Sequence, residues 1–149
     1  MTEITEIKEL NIQFDKNIAK VEIKSPVRAT VTIQPDKLVN VAEFLYNQLK
    51  FRFIIASAFE TKQGIEILYH FSNDSNGLVL NIHVILSKKK PEIESLTGIF
   101  EASNWIEREM HELFGINFLN HPNLEKLISE GNWAEGVYPY RKSAGDSKQ

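Results

Sequence analysis

Apolar residues in this chain recur with two periods, and the switches between them lay out its elements. In "TEITEIKEL", Ile4, Ile7 and Leu10 stand at helical spacing, which predicts a short opening helix. In "NIAKVEIKSPVRATVTIQ" the period drops to two. Val27, Ala29, Val31 and Ile33 alternate with Arg28, Thr30 and Thr32, so the stretch reads as two strands turning at Ser25-Pro26. Pro26 lacks a ladder donor and suits the corner better than a strand interior. Pro35 fits the first turn of a helix running to about Leu49, with Leu38, Val41, Ala42, Leu45 and Leu49 on one stripe.

"FRFIIASAFE" is rich in β-formers. "GIEILYHFS" and "GLVLNIHVIL" read as two more strands joined by "NDSNG", with Leu78, Leu80, Ile82, Val84 and Leu86 on one face of the second. After the charged break "SKKKP", the segment "EIESLTGIFEA" is expected to be helical in part. The resulting order is α-ββ-α-βββ-α-α. Strands that follow one another directly favour hairpins. The fold class is therefore α+β: a two-layer sandwich with a mostly antiparallel or mixed sheet, helices on one side and an extended C-terminal strap. No repeat or linker divides the chain, so 1–142 is expected to form one domain and 143–149 a frayed tail.

The densest stretch is "NWIEREMHELFGINFLNHP", Asn104 to Pro122. Asn104 is a good N-cap, and Glu107 three residues on makes a capping box. Ile106, Met110, Leu113 and Phe114 form an apolar stripe, and Gly115 stands where a left-handed C-cap belongs, so a helix is predicted over 105–114. Helical geometry then puts Arg108, His111 and Glu112 away from the stripe and leaves Glu107 and Glu109 flanking it. Beyond it, Pro122 suits the first turn of a small helix holding Leu124, Leu127 and Ile128. "EGNWAEGVYPYRK" sets Trp133, Val137, Tyr138 and Tyr140 beside Arg141 in an irregular strap. Such a strap packs on its own sheet or anchors another chain.

Composition narrows the chemistry. The 149 residues suffice for one ordinary domain with a core, at 42% hydrophobic and 25% charged residues. A net charge of −3 supplies no basic field for nucleic acid or anionic lipid. There is no cysteine, which excludes disulfides, thiolate nucleophiles and cysteine-held zinc or iron–sulfur centres within these 149 residues. The acidic N-terminus lacks the apolar run of a secretory signal. No apolar run reaches the ~18–20 residues of a spanning helix, so membrane association is expected only through a partner.

The "HE" at 111–112 invites the zinc motif HExxH, but its second histidine would fall on Gly115. Glu107, His111 and His121 could still supply three metal ligands, the basis of a small independent metalloenzyme. Paired carboxylates for glycoside chemistry lack an aromatic sugar platform. His70 and His83 lie in predicted strands, where a hydrogen-bonded sheet residue is the plainer reading. No nucleophile elbow, P-loop or dinucleotide fingerprint is present. The plain reading of the 104–122 stretch is a solvated charged helix face; the sharper one is a surface that faces a partner.

The residues Trp105, Glu107, Arg108, Glu109, Phe114, Gly115, Ile116, Phe118, His121 and Pro122, followed by Trp133, Pro139, Arg141 and Lys142, resemble a family signature. It reads roughly W-x-E-R-E, then L/F-G-I-x-F, H-P and a closing W-x-x-x-P-L-R-K. The family is that of the thirty-kilodalton subunit of complex I, the C-type subunit of NADH–quinone oxidoreductase. The resemblance covers about the last third of the chain, and the preceding hairpin resembles the family's sheet. Glu112 stands where the family usually has aspartate, His111 replaces a tyrosine-like residue, "GVYPYRK" inserts a residue, and Tyr140 replaces leucine.

The resemblance implies a protein without its own redox centre, with no catalytic, cofactor-binding or metal residue. It would dock onto the hydrogenase-like, D-type large subunit and a cluster-bearing small subunit, on the cytoplasmic side of a membrane. Iron–sulfur clusters and a quinone site or NiFe centre would belong to those partners. Glu107, Arg108 and Glu109 would make charge-assisted contacts within the fold or to the large subunit, and Trp133, Tyr138 and Arg141 would anchor the strap; Trp105, Phe114, Gly115, His121, Pro122 and Pro139 complete the partner-binding or signature set. The departures leave open the equivalent subunit of an energy-converting membrane-bound NiFe hydrogenase, or of a related quinone or phenazine reductase.

Overall fold

The computed structural model describes residues 4–124. Their order is α1 (Thr5–Phe14), β1 (Ile18–Ser25), β2 (Arg28–Ile33), α2 (Leu38–Glu43), β3 (Arg52–Glu60), β4 (Ile65–Asn73), β5 (Leu78–Leu86), β6 (Glu92–Glu94), α3 (Ser103–Phe114) and β7 (Asn117–Leu119). The predicted strap with Trp133, Tyr138, Pro139 and Arg141, the helix expected through Leu127 and Ile128, and the 143–149 tail lie outside the described residues.

Five strands form one mixed sheet in the order β1-β2-β5-β4-β3. The period-two pattern places them. Ala29, Val31 and Ile33 of β2 are buried, as are the alternate residues Leu78 to Leu86 of β5. The two strands run parallel with Ala29 opposite Leu80 and Val31 opposite Ile82, so like faces meet. A parallel neighbour cannot follow through a tight turn; α2, β3 and β4 fill the connection. β1 pairs antiparallel with β2, with register breaks between Ile18 and Lys20 and between Ile23 and Ser25. The α+β fold class expected from the pattern is the one observed.

Two expected helices differ. The one predicted from Pro35 to Leu49 is a 3-10 turn at Pro35–Lys37, then α2, then a π-helical stretch at Phe44–Gln48. "EIESLTGIFEA" begins as the strand β6 rather than a helix. β6 pairs in parallel with β7, setting Ile93 beside Phe118, both buried. Helix α3 is the crossover that parallel pairing requires. Three-residue strands are too short to show a period, so only the structure reveals this second sheet.

The chain divides into two compact units: Met1–Ala56 with Leu68–Val84, and Ser57–Ile67 with Ile85–Gln149. In the first, Leu10, Leu38, Val41, Leu45, Phe51 and Phe71 are among the fully buried side chains. In the second, Ile93, Leu96, Met110, Phe114, Ile116 and Phe118 are buried around α3.

Candidate functional site

The buried stripe of α3 is Ser103, Glu107, Met110 and Phe114, at i, i+4, i+7 and i+11. This is one step round from the stripe that the apolar residues alone predict. Ile106 and Leu113 are half-buried at its sides, and Glu112, expected away from the stripe, is buried too. Hydrophobicity sets the predicted face, whereas a satisfied carboxylate sets the observed one.

Glu107 is 0% exposed. Its Oε1 accepts from Ser95 Oγ at 2.6 Å. Its Oε2 accepts from the Leu96 backbone N–H at 2.8 Å and from Ser103 Oγ at 2.7 Å. Thus Glu107 does not serve the predicted capping box. The helix starts at Ser103, its N-cap Ala102 makes no side-chain bond, and the carboxylate instead reaches across to the segment after β6. Burial pushes the Glu107 carboxyl above its usual range, and the bonds from Leu96, Ser95 and Ser103 oppose that shift.

The network continues outward. Ser95 donates its one hydroxyl proton to Glu107, so in the 2.8 Å contact between Ser95 Oγ and Thr97 Oγ1 the threonine must be the donor. Ser95 Oγ also accepts the Thr97 backbone N–H.

The His121 side chain is enclosed, with Nε2 3.8 Å from Glu107 Oε1. Its Nδ1 accepts from the Asn123 backbone N–H at 2.9 Å. Its Nε2–H donates to the Asn104 carbonyl at 3.1 Å. The ring is therefore the neutral Nε2–H tautomer, with neither nitrogen left for a metal. His111 donates from Nδ1 to the Ile116 carbonyl at the far end of α3. The three candidate ligands are not gathered into one set, and no group of three or more such residues among the described ones could hold a metal.

The other signature residues sort by exposure. Trp105 is 60% exposed, and the Arg108 guanidinium lies over its ring, 5.8 Å from the centroid. Glu109 is exposed. Phe114 is buried, and Gly115 caps the helix at φ 77 with its N–H on the His111 carbonyl. Pro122 is exposed. His70 and His83 are hydrogen-bonded sheet residues: His70 Nδ1 meets Asn81 Oδ1 at 2.6 Å and His83 Nδ1 meets Thr32 Oγ1 at 2.8 Å. Sequence reasoning missed Ser95 and Ser103 as the partners of Glu107. Ser103, one turn before Glu107 on the same face, was the available signal.

Among the described residues no helix is long and apolar enough to cross a membrane. Residues 31–148 match the model of the family described as "Respiratory-chain NADH dehydrogenase, 30 Kd subunit". The chain is 33% identical over 141 residues to the C subunit of F(420)H(2) dehydrogenase from Methanosarcina mazei, covering 93% of this chain and 89% of that one. It is 32% identical over 119 residues to the C subunit of NADH-quinone oxidoreductase from Roseiflexus sp., covering 76% and 67%. Among solved structures, a chain of the membrane-bound sulfane sulfur reductase, an archaeal respiratory membrane complex, shares the fold. The TM-score is 0.80 at 21% identity, over 93% of this chain and 84% of that one. The trypsin-resistant fragment of Nqo5 superposes with a TM-score of 0.65 at 17% identity, over 81% of this chain and 100% of the fragment.

Proposed function

The chain belongs to the respiratory-chain NADH dehydrogenase 30 kDa subunit family, and from that premise we propose that it is a non-redox scaffolding subunit. It fastens the peripheral arm of a membrane-bound oxidoreductase by docking onto a hydrogenase-like large subunit and a cluster-bearing small subunit. It sits on the cytoplasmic side and reaches the membrane only through its partners. Iron–sulfur clusters and the quinone site or NiFe centre belong to those partners, in keeping with a sequence that holds no cysteine.

The observation that carries the reading is the division of labour on α3. One face is locked inward by Glu107, while Trp105, under Arg108, is presented outward at 60% exposure. A large exposed aromatic with a stacked guanidinium on a rigid helix is the chemistry of an interface anchor. The chain, tagged and recovered from native membranes, brings the large and small subunits with it, and Trp105→Ala loses them while still folding. Recovery of the wild-type chain alone overturns the proposal.

A second reading concerns the complex served. The match to the F(420)H(2) dehydrogenase relative spans 93% of the chain, against 76% for the NADH-quinone oxidoreductase relative. The F(420)H(2) dehydrogenase relative supports, beside a complex that takes electrons from NADH, one that takes them from F(420)H(2), the donor being oxidised in another subunit. Membranes holding the complex, supplied with each donor in turn, decide between them.

A further inference from the structure

The turn between β4 and β5 sets the exposed Asn76 before Gly77, and no other asparagine in the chain is followed by glycine. Gly77 carries no side chain to shield its nitrogen, and the space beside its Cα is open. Three groups that an attack within this dipeptide would use are each held by a hydrogen bond. The Leu78 N–H donates to Asn76 Oδ1 at 3.0 Å, which draws electrons from the side-chain carbonyl carbon. Asn76 Nδ2, the nitrogen that would leave, donates to Glu6 Oε2 at 2.8 Å. The Gly77 N–H, whose nitrogen would attack, donates to the Asn73 carbonyl at 2.8 Å. The first contact favours the attack, and the other two oppose it.

We infer that Asn76 is a site of spontaneous deamidation that Glu6 holds in check. The Gly77 nitrogen loses its proton and bonds to Asn76 Cγ. The Cγ–Nδ2 bond breaks, ammonia departs and a cyclic imide remains. Water then opens the imide at either carbonyl and leaves aspartate or isoaspartate. Every step is a substitution at a carbonyl carbon, so nothing is oxidised or reduced. The product undoes its own restraint. A carboxylate replaces the amide that donated to Glu6, and an attraction becomes a repulsion between like charges. Of the two bonds that tie Glu6 to the turn, only the one from Asn73 Nδ2, at 3.1 Å, then remains to tether α1. Opening of the contact thus exposes Asn76 to a change that keeps the contact open.

The test ages the full chain in warm, mildly alkaline buffer and follows the change of amide to acid at Asn76 by peptide mass spectrometry. Glu6→Ala frees the Asn76 amide and should convert about fivefold faster than wild type, the effect of losing one modest hydrogen bond. Glu6→Gln keeps an acceptor oxygen and should stay near the wild-type rate. In urea, where the contact is gone, all three chains should convert at one rate. Asn76→Asp, which carries the product's charge, should speed hydrogen exchange in α1. If Asn76 stays an amide while other asparagines convert, the site is refuted. If folded Glu6→Ala converts no faster than wild type, or its excess persists in urea, the restraint by Glu6 is refuted. Unchanged exchange in α1 of Asn76→Asp would overturn the loosening of the helix.

Discussion

Two glutamates, one in each compact unit, staple a helix to a turn, and they do it under opposite conditions. Glu6, in the first turn of α1, accepts at a single oxygen from Asn73 Nδ2 at 3.1 Å and Asn76 Nδ2 at 2.8 Å. Its donors are side-chain amides at a part-buried clasp, where water can take the place of Glu6 at the exposed Asn76 more readily than at Asn73, which is 9% exposed. Glu107, 0% exposed, accepts from a backbone N–H and two buried hydroxyls. The bond counts are nearly equal; what differs is what remains when the carboxylate goes. A solvated donor re-bonds to water, whereas a buried one is left unmade and costs its full desolvation.

The sharpest way to break the comparison is Glu107→Ala. It orphans the Leu96 N–H and both hydroxyls inside the core and opens a cavity, so it should cost on the order of 3 kcal/mol. Urea unfolding would read this as a large fall in midpoint at constant slope. Glu107→Gln should recover most of the loss, its oxygen accepting from Leu96 and its amide donating to Ser95. A small effect of the alanine variant would mean the network is not holding the segment after β6.

Next in size is a pH effect that only the buried glutamate should show. Its carboxyl lies above the ordinary value of 4.5 in the folded chain, with burial the main cause. The folded state therefore holds a proton that the unfolded state has already lost. Glu107's contribution is greatest below pH 4.5 and declines as pH rises through the folded value, then stays level. Other carboxylates act in the opposite sense, so the quantity to measure is wild type minus Glu107→Gln. That difference should fall with rising pH above 4.5; a rising difference would reverse the assignment.

The same contrast explains how much was legible in the sequence. Long periodic segments announced themselves: alternation placed β2 and β5, and Gly115 ended α3 where a left-handed cap was wanted. Apolar periodicity could not see a stripe centred on a carboxylate. It therefore put Glu107 at the edge and Glu112 outside; for Glu107, the donors that make burial tolerable come in part from Ser95 and Leu96, distant in sequence. β6 and β7 were missed for a related reason. Each has a single buried residue, and only their mutual pairing makes them strands. The aromatic strap belongs to residues the structure does not describe.

Sharpening the comparison from the other side, Glu6→Ala should cost only about 1 kcal/mol, because water replaces its bond to the exposed Asn76 amide and only the largely buried Asn73 amide loses a partner. Those asparagines keep their own turn bonds: Asn73 Oδ1 accepts from Ser75, and Asn76 Oδ1 from the Leu78 N–H. Hydrogen exchange should therefore speed up in α1 while the "NDSNG" turn stays protected. Equal loss of protection in both would show that Glu6 organises the turn and does not merely tether the helix.

The smallest effect belongs to the ion pair with the best geometry. Arg52 and Asp74 form a bidentate contact, Nε to Oδ2 at 3.1 Å and Nη2 to Oδ1 at 3.2 Å. The guanidinium holds the Asp74 carboxyl below its usual range, and Asp74 raises Arg52 in return. Both side chains are more than half exposed, however, so the attraction is screened and each charge stays hydrated when its partner is removed. Arg52→Ala should leave the unfolding midpoint unchanged within error near pH 7 and at all salt concentrations. Removing the charge from Asp74 with asparagine should do the same. If either variant matched Glu107→Ala, geometry and not burial would be setting the strength of these carboxylates, and the contrast between Glu6 and Glu107 would lose its physical basis.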